Sequence, residues 1–498
     1  MIKKMSSSAV TATALLSGLL VSSCIDGFDS NETFTTTVRN ATLSYPELSW
    51  VSSADGSKTE VTWPVVHGAG GYKFSLVNVT DEANPITYFN DTIIDGVEID
   101  IPRAEDQFYD ITVMTLGNTK YNNKDSETHT YRISTFVTSI NEQVIPNGSD
   151  LTTTISELIA KADAEMEYGT EFGIDLEPGG EFTMSGKVDL GGYQVTVRST
   201  NPNQPATIVM GENAGFETES SVKMKNLVFD CSGMTDKNSS VLAYRSEPSF
   251  EQTTDHWLIH QAKPTVFQSC RIKGLVTRMI FDNCKAWAIQ TILLDRCIVE
   301  VDQEAQSKKK SDLGGTSAVG VIDLSNSFCY GLTIKECTLY STTTVETTTP
   351  FVAQYEGKRS QDICGGLYQT NSIVVTNSTF VNLTKGTMDS NAGMFSWYRL
   401  RGQSNTYTTN TNNIFKDCGG HRVKRYSFLQ GQNSNMSATF SNNCYIYDDI
   451  LGEDWNSYPN PDEVSADPEL TFDAETGIWK VGSEEVKAAG CGDPRGLE

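Results

Sequence analysis

One arrangement of residues recurs in TVFQSCRI (265–272), ILLDRCIV (292–299), LTIKECTL (332–339) and IVVTNSTF (373–380). An apolar residue stands three positions before a Cys or Ser, and another stands two positions after it, as in Phe267, Cys270 and Ile272. In a straight strand, an offset of two keeps side chains on one face, whereas an offset of three does not. Both apolar side chains point inward only if the strand bends between them, at polar residues such as Ser269 and Glu336. The repeat therefore predicts a strand, a corner and a second strand in each coil of a β-helix.

This arrangement continues through the second half of the chain. Its central residue, a Cys, Ser or Asn, stands at positions 231, 270, 297, 337, 378, 413 and 443, which are separated by 39, 27, 40, 41, 35 and 30 residues, and the pattern is less regular around Asn413 and Asn443. Cys284 falls between two of these positions and is expected on another face. The longer spacings predict loops at about 232–262, 301–317, 341–365 and 384–408. We therefore predict an all-β protein whose residues 141–498 form a parallel β-helix, and these coils resemble those of right-handed, pectate-lyase-like β-helices.

A single helix is predicted immediately before the first coil. Residues 151–168 carry apolar side chains at helical spacing, among them Leu151, Ile155, Ile159 and Ala162. Short strands punctuated by glycine follow. Because the open end of a solenoid exposes its core and its backbone hydrogen-bonding groups, we expect this helix to cap the N-terminal end.

The N-terminus has the layout of an export signal. Lys3 and Lys4 precede an apolar stretch at 9–21, which is too short for a conventional membrane span. The small residues before Cys24 resemble a bacterial lipobox, in which the Cys is lipidated and becomes the first residue. We predict a lipoprotein signal peptide over residues 1–23, lipidation at Cys24 and a polar tether over 24–37.

Residues 38–140 have a different pattern of short alternating strands separated by Gly, Asn, Asp and Pro. Trp63 in one strand is followed by a Gly-rich turn at 68–71 and by Tyr72 in the next strand. Strands at this spacing over about a hundred residues predict a β-sandwich, and the segment resembles fibronectin type III domains. We interpret Trp63 and Tyr72 as core residues.

Composition limits the function further. The formal net charge of −25, from 38 Lys and Arg against 63 Asp and Glu, opposes non-specific binding of nucleic acid. Ten of the 11 cysteines remain when Cys24 is set aside. Export favours disulfides, whereas recurrence of six cysteines at repeat positions favours an interior ladder of free thiols. Coils about 4.8 Å apart permit either arrangement, and no cysteine spacing is typical of a zinc site.

Several segments carry a wider resemblance: EPGG (177–180), VTVRS (195–199), NLVFD (226–230), ADPEL (466–470) and GCGDPR (490–495). With the predicted anchor, they make the chain similar to surface lipoproteins of Bacteroidota polysaccharide-utilisation loci, whose β-helix families are of unknown function. The resemblance implies a location at the outer membrane and cell surface, a polysaccharide or oligosaccharide ligand, and a glycan-import complex as partner. Pectate lyases and polygalacturonases belong to the wider superfamily, but a fold alone does not establish chemistry.

One hypothesis for the function is a polysaccharide lyase acting on a uronate-containing glycan. Such an enzyme neutralises the uronate carboxylate and abstracts the adjacent proton with a basic side chain. Lys385, Arg399 and Arg401 are the candidate catalytic residues because they lie in or beside the loop 384–408. Calcium is the one cofactor considered, with Asp389 and Asn391 as oxygen ligands. The basic-residue motifs of known lyase families are not matched.

The competing hypothesis, which we favour slightly, is glycan capture without catalysis. Sugars stack on exposed aromatic rings, and arginines bind carboxylates in a bidentate manner. Aromatic and basic residues in or near the long loops are the glycan-binding candidates: Trp397, Tyr398, Tyr407, His421, Arg422, Lys424 and Arg425. The next candidates are Trp257, Trp287 and Tyr355. A hydrolase is disfavoured because Asp448 and Asp449 lack the expected acidic and His neighbours, and an adhesin or scaffold remains a third alternative.

Overall fold

The structure is a computed structural model. It describes residues 38–52, 58–81, 84–102, 104, 106–236, 238–252, 257–258, 264–312, 320–345, 347, 349–354, 371–384, 394–397, 406–418, 437–446 and 462–498. The chain divides into two compact units, Met1–Phe136 and Val137–Glu498. The sequence placed this boundary after residue 140, whereas Ile140 already donates its backbone N–H to Gly173 of the first coil, at 2.9 Å.

The first unit is a β-sandwich of two antiparallel sheets with strand orders β1-β2-β5 and β4-β3-β6-β7. Its strands are β1 (Ser49–Ser52), β2 (Lys58–Thr62), β3 (Ala69–Asn78), β4 (Ile86–Ile94), β5 (Glu98–Pro102), β6 (Phe108–Gly117) and β7 (His129–Ser134), with a 3-10 helix at Thr119–Tyr121. Trp63 and Tyr72 are buried, and their rings meet edge to face at 5.3 Å. Their predicted role in the core is confirmed, while the resemblance to fibronectin type III domains stays a prediction.

The second unit is a parallel β-helix, as the sequence predicted. Three long sheets are formed by strands that pair in parallel from one coil to the next. We call them sheets one, two and three, in the order in which each coil visits them. Sheet one contains β8 (Glu171–Leu176), β11 (Gln194–Ser199), β14 (Val222–Lys225), β18 (Thr265–Gln268), β21 (Trp287–Asp295), β24 (Phe328–Lys335), β27 (Asn371–Thr376), β30 (Thr406–Thr411) and β32 (Ser437–Ser441), and β17 (Trp257–Leu258) pairs with β21.

The other two sheets complete the coils. Sheet two contains β9 (Glu181–Met184), β12 (Ala206–Met210), β15 (Leu227–Asp230), β19 (Arg271–Leu275), β22 (Ile298–Val301), β25 (Thr338–Ser341), β28 (Thr379–Val381), β31 (Ile414–Lys416) and β33 (Cys444–Ile446). Sheet three contains β10 (Lys187–Asp189), β13 (Gly215–Thr218), β16 (Ser240–Tyr244), β20 (Arg278–Phe281), β23 (Ile322–Leu324), β26 (Val352–Gln354) and β29 (Phe395–Trp397).

The predicted repeat forms the corner between sheets one and two. Phe267 pairs in register with Leu294 in sheet one, and Ile272 pairs with Val299 in sheet two. All four side chains are buried in the interior of the coils. The polar corner residue Ser269 has a φ of 50°, a left-handed conformation that turns the backbone. The apolar side chains before and after the corner therefore both point inward, because the backbone bends between them as predicted.

A ladder of side chains runs along this corner. The backbone N–H of Cys297 donates to the Sγ of Cys337 at 3.3 Å, and the N–H of Cys337 donates to the Oγ of Ser378 at 3.1 Å. The N–H of Ser378 in turn donates to the Oδ1 of Asn413 at 2.9 Å, and that of Asn413 to the Oδ1 of Asn443 at 3.0 Å. The nine cysteines in the described part of the chain are thiols that form no disulfide. Burial raises the pKa of the Cys337 thiol well above its ordinary value.

One position of the predicted repeat is wrong. Val228 pairs with Arg271, so Leu227, and not Cys231, stands beside Cys270. Leu227 is fully buried, which shows that this corner requires a side chain that tolerates burial and does not require a Cys, Ser or Asn. Cys231 lies beyond the end of β15, where its N–H donates to Lys273 of the next coil at 2.9 Å.

Helices and a hairpin cover other parts of the β-helix. They are α1 (Leu151–Glu165), α2 (Gln303–Asp312), the hairpin of β34 (Thr471–Asp473) and β35 (Ile478–Lys480), α3 (Glu484–Ala489) and α4 (Pro494–Leu497). Helix α1 begins at the N-cap Asp150 and buries its predicted apolar face against the strands of the first coil. Thus the predicted N-terminal cap is confirmed, over a range three residues shorter than expected.

The GCGDPR segment closes the chain against sheet two. Asp493 is fully buried and accepts a hydrogen bond from the hydroxyl of Thr338 at 2.7 Å. Arg495 binds Asp493 at 2.6 Å and donates to the backbone carbonyls of Arg296 and Glu336, both at 3.0 Å. The segment therefore fastens the C-terminus to corners of successive coils, which gives it a structural role.

Candidate functional site

Most residues of the site predicted from the sequence lie outside the described part of the chain: Cys24, Tyr355, Lys385, Asp389, Asn391, Tyr398, Arg399, Arg401, His421, Arg422, Lys424 and Arg425. Trp397 is described as a backbone position at the end of β29, where it pairs with Gln354 in sheet three. Tyr407 lies in β30 of sheet one, and its side chain is 48% exposed. The two aromatic residues therefore belong to different sheets.

The next aromatic candidates are packing residues. Trp287 is fully buried, so its ring is unavailable to a ligand. Trp257 is partly buried against it, with ring centroids 6.2 Å apart, and donates its indole N–H to the carbonyl of Phe250 at 3.1 Å. These contacts explain both tryptophans without a ligand.

A different site appears where helix α1 meets the first coils. A pocket of about 420 Å³ opens there, within the range of small-molecule sites. Its described walls come from α1, from the turn after β10, and from the residues that follow β13 and β16. They are Ser156, Ile159, Ala160, Asp163, Tyr168, Asp189, Gly191, Gly192, Tyr193, Glu219, Arg245 and Ser249.

The polar centre of this pocket is an arginine between two carboxylates. Arg245 approaches Asp189 at 2.7 Å and Glu219 at 3.1 Å. The Glu219 side chain is only 1% exposed, and it also accepts hydrogen bonds from the backbone N–H of Ser249, at 2.7 Å, and from the Ser249 hydroxyl. The three charged residues end β10, follow β13 and follow β16, so the parallel stacking of sheet three brings them together.

An exposed aromatic ring forms one wall. Tyr168 is 61% exposed, and its hydroxyl lies 3.3 Å from the Oε1 of Glu219. The ring lies directly on the backbone of Gly192, where an added Cβ would meet ring atoms at 2.1 Å. Partial burial, followed by the Glu219 charge, raises the pKa of the Tyr168 phenol. The phenol therefore remains protonated at neutral pH and can donate a hydrogen bond.

The opposite wall joins helix α1 to the first coil. Tyr193 is buried, and its hydroxyl donates to the Oδ1 of Asp163 at 3.0 Å. Burial, reinforced by Asp163, raises the pKa of the Tyr193 phenol. Asp163 itself is on the exposed side of α1, so its second oxygen is accessible to a ligand.

A second group of two carboxyls and an arginine lies further along sheet three. Arg278 forms an ion pair with Asp323 at 2.7 Å, and both side chains are almost fully buried. Asp282 is also buried, and its carboxylate oxygens accept backbone N–H groups from Asn326 at 2.7 Å and Cys284 at 2.9 Å. Burial, with the Asp323 charge beside it, raises the pKa of Asp282 to about 7.

Sequence reasoning missed the pocket although a usable signal exists. Asp189, Glu219 and Arg245 are separated by 30 and 26 residues, spacings typical of one coil, so the periodicity that aligned the cysteines would have aligned them too. Within the described residues, no group of three or more His, Cys, Asp or Glu side chains could hold a metal ion. The described helices also include none that is long and apolar enough to cross a membrane.

Comparisons with known families divide the chain into three successive matches. Residues 1–177 match the domain of unknown function DUF4992, residues 180–342 match DUF4957, and residues 373–495 match DUF5123, both of the latter also domains of unknown function. The first match continues past the sandwich into the first coil of the β-helix. No curated protein has a sequence that matches this chain.

Two solved structures are similar at the level of the chain trace. The family 28 exopolygalacturonase of Yersinia enterocolitica is 10% identical, with a TM-score of 0.26, over 84% of this chain and 89% of that chain. The pectate lyase PelI of Erwinia chrysanthemi, solved with tetragalacturonic acid, is 10% identical, with a TM-score of 0.15, over 68% of this chain and 84% of that chain. At these TM-scores and sequence identities, neither similarity indicates an activity for this chain.

Proposed function

We propose that this protein binds glycans, with the pocket beside helix α1 as the binding site. The observation that carries the proposal is the exposed ring of Tyr168, which lies against Gly192 beside the buried carboxylate of Glu219. A sugar presents an apolar ring face and a rim of hydroxyls. An aromatic wall next to preorganised hydrogen-bonding groups is complementary to both of these features.

The charged centre suits binding better than cleavage. Glycoside hydrolysis needs a protonated carboxyl beside the scissile oxygen, whereas Glu219 and Asp189 are both ion-paired with Arg245. The same pairing fixes the exposed Asp189 carboxylate in position, so that it accepts hydrogen bonds from sugar hydroxyls at little cost in conformational entropy. Capture is therefore the function that these residues support best.

Display at the cell surface is part of the proposal. The lipobox-like sequence before Cys24 supports a lipid anchor in the outer membrane, from which the β-helix would present captured glycan for import. Cys24→Ala should move the protein from the membrane fraction to the soluble fraction. Unchanged association with washed membranes would overturn the anchor without affecting the glycan site.

The binding test begins with a glycan array, followed by calorimetry on the oligosaccharides that bind. Tyr168→Ala should weaken binding at least about tenfold through lost stacking, and Glu219→Gln should weaken it because Glu219 positions Arg245 and the Tyr168 hydroxyl. Tyr88→Ala, at an exposed ring of the sandwich, is the matched control. Loss of binding in Tyr407→Ala but not in Tyr168→Ala would replace this pocket by the glycan-binding residues in and near the long loops that the sequence predicts. Unsaturated products from a uronate polymer would replace capture by lyase chemistry.

A further inference from the structure

We propose that the pocket selects sugars that are neutral or carry an amino group, and that it disfavours uronates. This inference rests on the proposed glycan binding and names the charge class of the ligand. It reverses the expectation from the loop residues, which favoured an anionic glycan. The argument depends on which charges in the pocket are already satisfied.

The pocket holds an excess of negative charge. Asp163, Asp189 and Glu219 contribute three carboxylates, and Arg245 is the single basic side chain among the described residues of its lining. The guanidinium of Arg245 already contacts two of these carboxylates, at 2.7 and 3.1 Å. A uronate would therefore have to compete with Asp189 or Glu219 for the same cation, and it would meet like charge on the other sides.

The unsatisfied groups are acceptors. The Asp189 side chain is 45% exposed and holds Arg245 and the N–H of Gly191, at 2.9 Å. Asp163 accepts the Tyr193 hydroxyl through one oxygen. Since an ionised carboxylate accepts about four hydrogen bonds and donates none, both residues retain acceptor capacity toward the pocket. The complementary ligand groups are donors, which in sugars are hydroxyls and ammonium groups.

Asp163 is the residue expected to discriminate between ligands of different charge. It stands on helix α1, across the pocket from the Arg245 ion pairs, and its described contact is with an uncharged phenol. An ammonium group placed beside it would form a charge-assisted hydrogen bond without displacing a protein cation. Neutral sugars would bind through hydroxyls at the same acceptors, and the Tyr168 ring would be shared by both classes.

The test uses three oligosaccharides of equal length: a neutral one, its amino-sugar counterpart and a uronate. Calorimetry at low and at high salt should show the amino sugar binding roughly tenfold more tightly than the uronate at low salt, with a smaller ratio at high salt. Asp163→Asn should reduce that ratio several-fold and lower the affinity for the amino sugar, because the charge beside the ammonium group is lost. Glu157→Gln, on the same helix but outside the pocket lining, should change neither value.

The outcomes separate the inference from the function on which it rests. If the wild type binds no oligosaccharide of any charge, the proposed function fails. If it binds the uronate as tightly as the others, or if Asp163→Asn leaves the ratio unchanged, glycan binding stands and the charge selection is wrong.

Discussion

Sheet three carries two groups of similar composition in different surroundings. In the open group, Arg245 lies between Asp189 and Glu219 at the mouth of a pocket. In the buried group, Arg278 is paired with Asp323, and Asp282 accepts hydrogen bonds from backbone N–H groups. The same residue types thus form a candidate ligand site at one end of the sheet and a closed structural cluster that begins on the coil after that of Arg245, since β16 pairs with β20.

The difference is one of solvent access and pairing. In the open group one guanidinium contacts both carboxylates, and Asp189 remains in contact with water. In the buried group both carboxyls are removed from water, and burial together with the neighbouring Asp323 charge raises the pKa of Asp282 to about 7. Residue identity alone therefore does not distinguish a binding group from a structural group.

The largest expected effect is the loss of the buried cation. Arg278→Met should lower the free energy of unfolding by about 3–5 kcal/mol, because Asp323 would stay buried without its partner. Arg245→Met should cost less, about 1–3 kcal/mol, since Asp189 is half exposed and the buried Glu219 keeps its bonds to Ser249. Denaturant unfolding of both variants measures the contrast. Equal losses would show that the open group is as structural as the buried one.

The pH dependence of stability provides the next contrast. A carboxyl whose pKa is raised on folding contributes stability that is full below its unfolded pKa and is lost as the pH rises through the folded value. From an ordinary Asp to a pKa of about 7 for Asp282, that loss is about 4 kcal/mol. The wild type should therefore be more stable at pH 5 than at pH 8, and Asp282→Asn should remove most of the difference.

The control for this titration lies in the open group. Asp189→Asn should leave the stability difference between pH 5 and pH 8 in place, because the Asp189 side chain is 45% exposed. If Asp189→Asn removed the difference and Asp282→Asn did not, the buried carboxyl would not be its source.

Much of the fold could be predicted from the sequence because its determinants recur. An apolar, corner, apolar pattern repeats once per coil, so Phe267, Cys270 and Ile272 already specify how two sheets meet. The same periodicity placed Cys231 at the corner, where Leu227 stands. The corner accepts any side chain that tolerates burial, so the apolar Leu227 does not match a pattern of Cys, Ser or Asn. Repetition reveals architecture but leaves the register of an irregular coil open.

The candidate site was harder to predict, for a physical reason. The pocket depends on Gly192, which supports a ring, and on an arginine that meets carboxylates from two other coils. Neither feature is a local motif. Tyr168 is distant in sequence from Gly192, and each of the three charged residues comes from a different coil. Attention to aromatic and basic loop residues instead favoured positions outside the described residues, and their predicted glycan-binding role remains a prediction.

The side-chain ladder at the corner between sheets one and two is buried like the Arg278 group, but its hydrogen bonds involve no charged side chain. Cys337→Ala would leave the buried N–H of Cys297 without its Sγ acceptor, at a cost of about 1–3 kcal/mol. Cys337→Ser should cost less than about 1 kcal/mol, because Ser378 already fills the same role for the N–H of Cys337 at 3.1 Å. Thermal unfolding of the two variants isolates the acceptor. Equal destabilisation would mean that sulfur packing, and not the hydrogen bond, holds the corner.

The smallest loss of stability is expected for a substitution at Gly192, which lies beside the open group. In Gly192→Ala the new Cβ would occupy the place of the Tyr168 ring, which is exposed and can swing into water, so unfolding should change by less than about 1 kcal/mol. Glycan binding should nevertheless fall at least about tenfold, since the aromatic wall moves away from Glu219. Gly186→Ala is the matched control, because its Cβ would meet Thr152 at an ordinary 3.5 Å. A Gly192→Ala protein that binds like the wild type would show that the ring is not part of the site, whereas loss of both binding and stability would make the open group structural, like the buried one.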